Sequence, residues 1–188
     1  MRKILLFGGI IFISWACNRN TTSSSKDSPA EDPAAMTTTT ESKADVPSGE
    51  VKWMSYNDAV KAAKKEPKKI FVDVYTDWCG WCKKMDKTTL KDPLITGYLA
   101  ENYYTVKLNA ESDKTVTFQG KEMTERELAR DVFKISGYPS TVYLEADQKI
   151  IQPIPGYMDV KTLDKILHYI GEDHYKDTSW EQFQMSYK

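Results

Sequence analysis

The stretch VDVYTDWCGWCKKMDK, residues 72–87, constrains the architecture of this chain more than any other. It begins inside a run rich in β-forming apolar residues, 70–75, which predicts a central strand buried on both faces. A short turn follows. Then Cys79 and Cys82 stand three apart at the start of a helix predicted over residues 79–90. A strand that passes into a crossover helix pairs in parallel with the next strong strand, predicted over residues 103–109. The spacing also puts both sulfurs on one face of the helix, close enough to bond.

The rest of the pattern is consistent with one domain over residues 51–188. A short first strand is expected at residues 51–54. Ser55 with Asp58 opens a helix that Pro67 ends. Asp92 and Pro93 read as N-cap and first position of another helix. Residues 110–123 are irregular, with a hairpin in VTFQGKEM turning at Gly120. Thr124 and Glu127 form a capping box for a helix to Phe133. Strands at 140–144 and 149–154 are joined by four residues, which suits an antiparallel hairpin. Asp159 opens an amphipathic helix that Gly171 stops. Thr178 and Glu181 open a last helix, whose stripe of Trp180, Phe183 and Tyr187 docks onto the domain.

The first four N–H groups of a helix lack intrahelical partners, and the dipole is positive there. A thiolate at Cys79 is stabilised by both, which lowers its pKa and makes an exposed Cys79 sulfur the nucleophile. Cys82, one turn further in, then resolves a mixed disulfide. Two other readings compete. A zinc site needs a second such pair or histidines at ligand spacing. Only His168 and His174 exist, six apart, and they read as solvent-facing or helix-capping groups, so no metal is expected. A structural disulfide closes so small a loop that it restrains little chain entropy. Redox exchange is the reading the strand–turn–helix context favours.

Together with SGYPSTVYL further on, VDVYTDWCGWCKK resembles the thioredoxin-like superfamily, especially its exported, membrane-tethered bacterial members. The similarity covers about residues 51–171. It implies an α/β thioredoxin-like fold, a central mixed sheet flanked by helices. Two additions are expected: an insertion over residues 110–123, before the helix leading to the cis-proline, and an extra C-terminal helix. The resemblance makes Cys79 and Cys82 the catalytic pair and Pro139 a cis-proline opposite it. It makes Asp73, six residues before Cys79, a buried acid that takes the Cys82 proton, and Lys107, in VKLNAE, its partner. Trp78, Gly80, Trp81, Tyr138 and Pro139 are the expected substrate surface. Gly80-Trp81 departs from the Gly-Pro pair of the most reducing members, a lever on redox potential. No cofactor is implied beyond a redox-active Cys79–Cys82 disulfide. The implied partners are exported proteins with disulfides and a membrane thiol relay as electron donor. Two alternatives stay open: a disulfide donor or isomerase, and a non-enzymatic thiol carrier for a metal or haem-protein partner.

Residues 1–16 of MRKILLFGGIIFISWAC have a basic start and an apolar run too short to span a bilayer. They read as an export signal. The small residues before Cys17 resemble a bacterial lipoprotein signal, which implies lipidation at Cys17 and a membrane contact through it. Ser14 and Trp15 depart from that pattern, and a plain secretory signal with an incidental cysteine is the alternative. Residues 17–50 lack aromatics and hold few large apolar side chains, so they read as a disordered tether. The expected location is the periplasmic side of a membrane. A net charge of −1 argues against a nucleic-acid partner.

Overall fold

The run Lys69–Tyr75 (β1) lies in the middle of a four-stranded sheet, and every residue from Ile70 to Val74 is buried. The computed structural model describes residues 49–187. The expected signal sequence, Cys17 and the tether up to residue 48 lie outside the described residues. Among the described residues, no helix is long and apolar enough to cross a membrane.

The other elements follow in chain order around β1. Helix α1 (Tyr56–Lys65) precedes it. Helix α2 (Gly80–Lys87), a 3-10 turn (Thr89–Lys91) and α3 (Pro93–Asn102) follow it, leading to β2 (Tyr103–Asn109). The hairpin β3 (Thr115–Phe118) and β4 (Lys121–Thr124) comes next, then α4 (Glu125–Glu127). Strands β5 (Ser140–Leu144) and β6 (Ile150–Pro155) lead to α5 (Val160–Gly171) and α6 (Trp180–Ser186). The sheet order is β2-β1-β5-β6. Strands β1 and β2 are parallel, whereas β5 is antiparallel to both β1 and β6. This is the expected mixed sheet with parallel pairing early and antiparallel pairing late.

Alternation along β1 divides the core into two layers. Ile70, Val72 and Val74 pack with α1 residues such as Ala59 and with Leu128 and Phe133. Phe71 faces the other way, towards Met85 of α2, Leu99 of α3 and Leu163 of α5. Asp73 shares the Phe71 parity, so it points to the α2 side.

The insertion is ordered. Gln119 and Gly120, both at positive φ, close the hairpin turn. The Asn57 side chain accepts from the Thr117 N–H at 2.8 Å and ties the hairpin to α1. On the edge strand β6, Pro153 and Pro155 alternate with Gln152 and Ile154. Proline cannot donate to the ladder, so pairing with β5 runs through Gln152 and Ile154, and the proline nitrogens face outward.

Several expectations need correction. The strand at 51–54 is one bridge, Met54 to Val106. Ser55 already caps α1, so the chain turns away after a single pair. The Thr124–Glu127 capping box forms, but after Glu127 the helix widens into a π turn over Leu128–Val132, which brings Leu128, Ala129 and Phe133 into the core. The helix ends at Gly171 as expected, but not through a left-handed glycine. Gly171 is the last residue of α5, and the left-handed position falls on Asp173, φ 64°. Gly171 is needed because a Cβ there would lie 2.7 Å from the Tyr98 hydroxyl. The final capping box is Ser179 with Gln182, one residue later than expected. The Tyr169 hydroxyl donates to Thr178 O at 2.7 Å and leaves Ser179 as the cap. The stripe on α6 does dock: Tyr169 packs against both Trp180 and Phe183. His168 is half-buried rather than solvent-facing, its ring tilted against Tyr98 with centroids 3.9 Å apart.

Candidate active site

Cys79 is the N-cap of α2, in extended backbone geometry, and its Sγ accepts a hydrogen bond from the Cys82 N–H at 3.1 Å. The Cys79 N–H donates to Thr76 O, which tightens the turn out of β1. Cys79 and Cys82 are joined in a disulfide, with Cα atoms 5.3 Å apart. The expected exposed sulfur is not seen in this oxidised state. Cys79 is only 4 % exposed, because its Sγ is turned into the bond and towards the first turn of the helix.

The flanking residues are the opposite. Trp78 is 67 % exposed and Trp81 is 56 % exposed. Trp78 donates through Nε1 to Glu111 Oε1 at 2.9 Å and meets the Tyr138 ring edge-on at 5.9 Å. Trp81 lies 5.3 Å from the Tyr157 ring. The Lys84 ammonium sits over both, 4.6 Å from Trp81 and 5.0 Å from Tyr157. At Gly80 a Cβ would meet nothing within 4 Å beyond its chain neighbours, so this position faces open space.

The Tyr138–Pro139 bond is cis. Pro139 O accepts from the Gly156 N–H at 2.8 Å, which links this loop to the one carrying Tyr157. Among the described residues, neither the N–H nor the C=O of Tyr138 takes part in a hydrogen bond. Backbone groups rarely stay unpaired away from water, so a free pair beside the cis-proline suits an extended peptide.

Beneath the helix lies a charge cluster. Asp73 and Lys107 are direct neighbours in the parallel register of β1 and β2. Lys107 Nζ donates to Asp73 Oδ2 at 2.5 Å and also to Asp86 Oδ1 of α2. Asp73 is 2 % exposed, and its Oδ1 has no hydrogen-bond partner among the described residues. Burial raises the Asp73 pKa, with Lys107 opposing. Burial also pulls on Lys107 in the downward direction, but Asp73 and Asp86 outweigh it and hold its pKa above the ordinary value. The ammonium therefore stays charged while the carboxyl is poised to hold a proton. A poised acid with one free oxygen can exchange protons with a nearby thiol.

The match to known proteins follows this geometry. A family model described as a thioredoxin-like domain covers residues 56–171. The chain belongs to the thioredoxin-like family. A thiol:disulfide interchange protein DsbD from Ralstonia nicotianae is 32 % identical over 90 residues, 48 % of this chain and 13 % of its own length. The disulfide bond reductase DsbH of Chlamydia pneumoniae is 23 % identical over 100 residues, 53 % of this chain and 59 % of its own. A solved thioredoxin-fold protein from Helicobacter pylori superposes with a TM-score of 0.51 at 25 % identity, over 63 % of this chain and 78 % of that one. The chain thus spans a minor part of the interchange protein and under two thirds of the reductase.

The resemblance read from the sequence had pointed to the cysteines, Asp73, Lys107 and the cis-proline. It did not bring out Asp86, Glu111, Lys84 or Tyr157. Asp86 had a signal in the sequence: with Cys79 and Cys82 it completes i, i+3, i+7 spacing on one helix face. Tyr157 had none, since its place depends on the loop after β6 returning beside α2. There the Thr89 hydroxyl donates to Met158 O at 2.7 Å. Among the described residues, no group of three or more His, Cys, Asp or Glu side chains could hold a metal ion.

Proposed function

We propose that this chain is a thiol–disulfide oxidoreductase that reduces or exchanges disulfides in exported proteins. The observation that carries this is Cys79 Sγ at the helix N-cap, receiving an amide hydrogen bond beside an unused Tyr138 backbone pair. In the reduced protein that amide and the helix dipole favour the Cys79 thiolate. The thiolate attacks one sulfur of a substrate disulfide. A mixed disulfide forms, and the other substrate sulfur leaves as a thiolate. Asp73, when ionised, takes the Cys82 proton through water. The Cys82 thiolate then attacks Cys79 Sγ, closes the Cys79–Cys82 bond and releases the second substrate thiolate. Two electrons pass to the substrate. They are restored by a dithiol partner, which for an exported protein is a membrane thiol relay.

Trp78, Gly80 and Trp81, with Tyr138 and Pro139, form the contact surface for the substrate chain. No cofactor is required beyond the cysteine pair. The chain works on the periplasmic side of a membrane, lipidated at Cys17. The names of the DsbD and DsbH relatives, a thiol:disulfide interchange protein and a disulfide bond reductase, support the exchange chemistry.

Trapping tests the reading. Cys79→Ser should abolish insulin reduction, and Cys82→Ser should accumulate a mixed disulfide on Cys79. Full turnover in Cys82→Ser would reverse the order of attack. A potential above about −150 mV against glutathione would turn the proposed direction towards disulfide donation.

A further inference from the structure

The two flanks of the disulfide carry opposite charge. On the Trp78 side stand Glu111, which holds the indole, and Asp77. On the Trp81 side, α2 exposes Lys83, Lys84 and Lys87. These lysines, with Gly80 and Thr88, line a groove of about 360 Å³ that opens next to the cysteine pair. Among the described residues, none of the three makes an ion pair or donates a hydrogen bond to a side chain. The one nearby acid of the helix, Asp86, is engaged by Lys107. Lys84 is held against the Trp81 and Tyr157 rings instead. A local surplus of positive charge therefore sits in a chain whose net charge is −1.

Three ammonium groups along one helix raise the local potential and attract an acidic chain. Repulsion between them is relieved when that chain binds, so the groove is electrostatically incomplete by itself. Gly80, next in sequence to Cys79, lines the groove and adds no side chain to it.

We propose that this groove is a docking surface for an acidic segment adjacent to the target disulfide of the substrate protein. This rests on the oxidoreductase reading above. The α2 lysines bind carboxylates of the substrate, with Lys84 held against the Trp81 and Tyr157 rings. The opposite sign at Glu111 and Asp77 sets the direction in which the segment lies. The groove thus selects among disulfides that are equally accessible.

The test uses the pre-reduced protein and three disulfide-bonded peptides that differ only in flanking Glu, Gln or Lys residues. Single-turnover oxidation is followed at low and high salt, with neutral hydroxyethyl disulfide as a reference. The Glu peptide should react about tenfold faster than the Lys peptide at low salt, from three exposed charge pairs. The ratio should fall to about twofold in 0.5 M salt. Lys83→Glu/Lys84→Glu/Lys87→Glu should invert it. A ratio near one in the native protein, with the neutral disulfide still reduced, overturns the docking surface and leaves the activity standing. Failure to reduce the neutral disulfide overturns both. Salt-sensitive retention on phosphatidylglycerol vesicles, with no discrimination among the peptides, overturns the proposal in favour of a lipid contact.

Discussion

Replacing Asp73 by asparagine exchanges a buried carboxylate for a neutral group of the same shape. One oxygen of Asp73 meets Lys107 at 2.5 Å, and the other is buried without a partner among the described residues. Burial lifts the Asp73 pKa above its ordinary value despite Lys107. A carboxyl whose folded pKa exceeds its unfolded one weakens the fold when ionised. The effect is absent below the unfolded pKa, near 3.9. It grows as pH rises and is complete above the folded pKa. Removing one member of a buried pair normally costs about 3–5 kcal/mol, because the other charge is stranded. Here Lys107 keeps Asp86, so that loss does not apply. Asp73→Asn should therefore be more stable than the native protein by about 1–3 kcal/mol at pH 8. At pH 4 the gain should be nearly gone. Urea unfolding of the oxidised protein measures both, and a gain of about 2 kcal/mol moves the midpoint by about 1 M. The same variant should exchange disulfides about a hundredfold more slowly at neutral pH, having lost its base. A variant less stable than the native protein at pH 8, or equally stabilised at pH 4, would refute this account of Asp73.

Lys107→Met leaves the Asp73 charge without its ammonium and should cost about 3–5 kcal/mol at pH 8, with recovery as acid protonates Asp73; chemical denaturation across pH checks this, and a pH-independent loss would contradict it. Gly171→Ala should destabilise by about 1–2 kcal/mol, because a Cβ placed 2.7 Å from the Tyr98 hydroxyl outweighs the better helix propensity of alanine. A raised Tm would show that Tyr98 moves aside freely. Phe183→Ala empties the contact of α6 with Tyr169 and should cost about 3 kcal/mol in the docking of that helix. Hydrogen exchange should rise in α6 and leave β1 protected; uniform exchange across both would mean that α6 is part of the global folding unit.

The cysteine pair was legible in the sequence because its context is local: an apolar strand, a turn and a helix start within sixteen residues. The Asp73–Lys107 neighbours needed the family resemblance, since residues 34 apart meet only through the strand register. Asp86 shares a helix face with the cysteines, yet an acid among lysines reads as ordinary surface charge until its partner strand is known. Tyr157 was hidden for a stronger reason: nothing near it in sequence announces a contact with Trp81. The errors at helix ends have the same origin. Thr178 and Ser179 are both able caps, and a hydroxyl from Tyr169 decides between them. Gly171 carries a stop signal, but it was needed for room beside Tyr98.

The outward-facing prolines of β6 have a consequence for what this protein can hold. Pro153 and Pro155 offer a visiting polypeptide no N–H at that margin of the sheet, which in the proposed function leaves the backbone pair of Tyr138 as the main-chain contact. Only a short, extended length of chain can reach it. Sulfurs locked inside a finished β-structure cannot offer such a length, whereas those in a loop or a half-made protein can. Under the exchange function proposed above, clients that are still being completed would be the ones favoured.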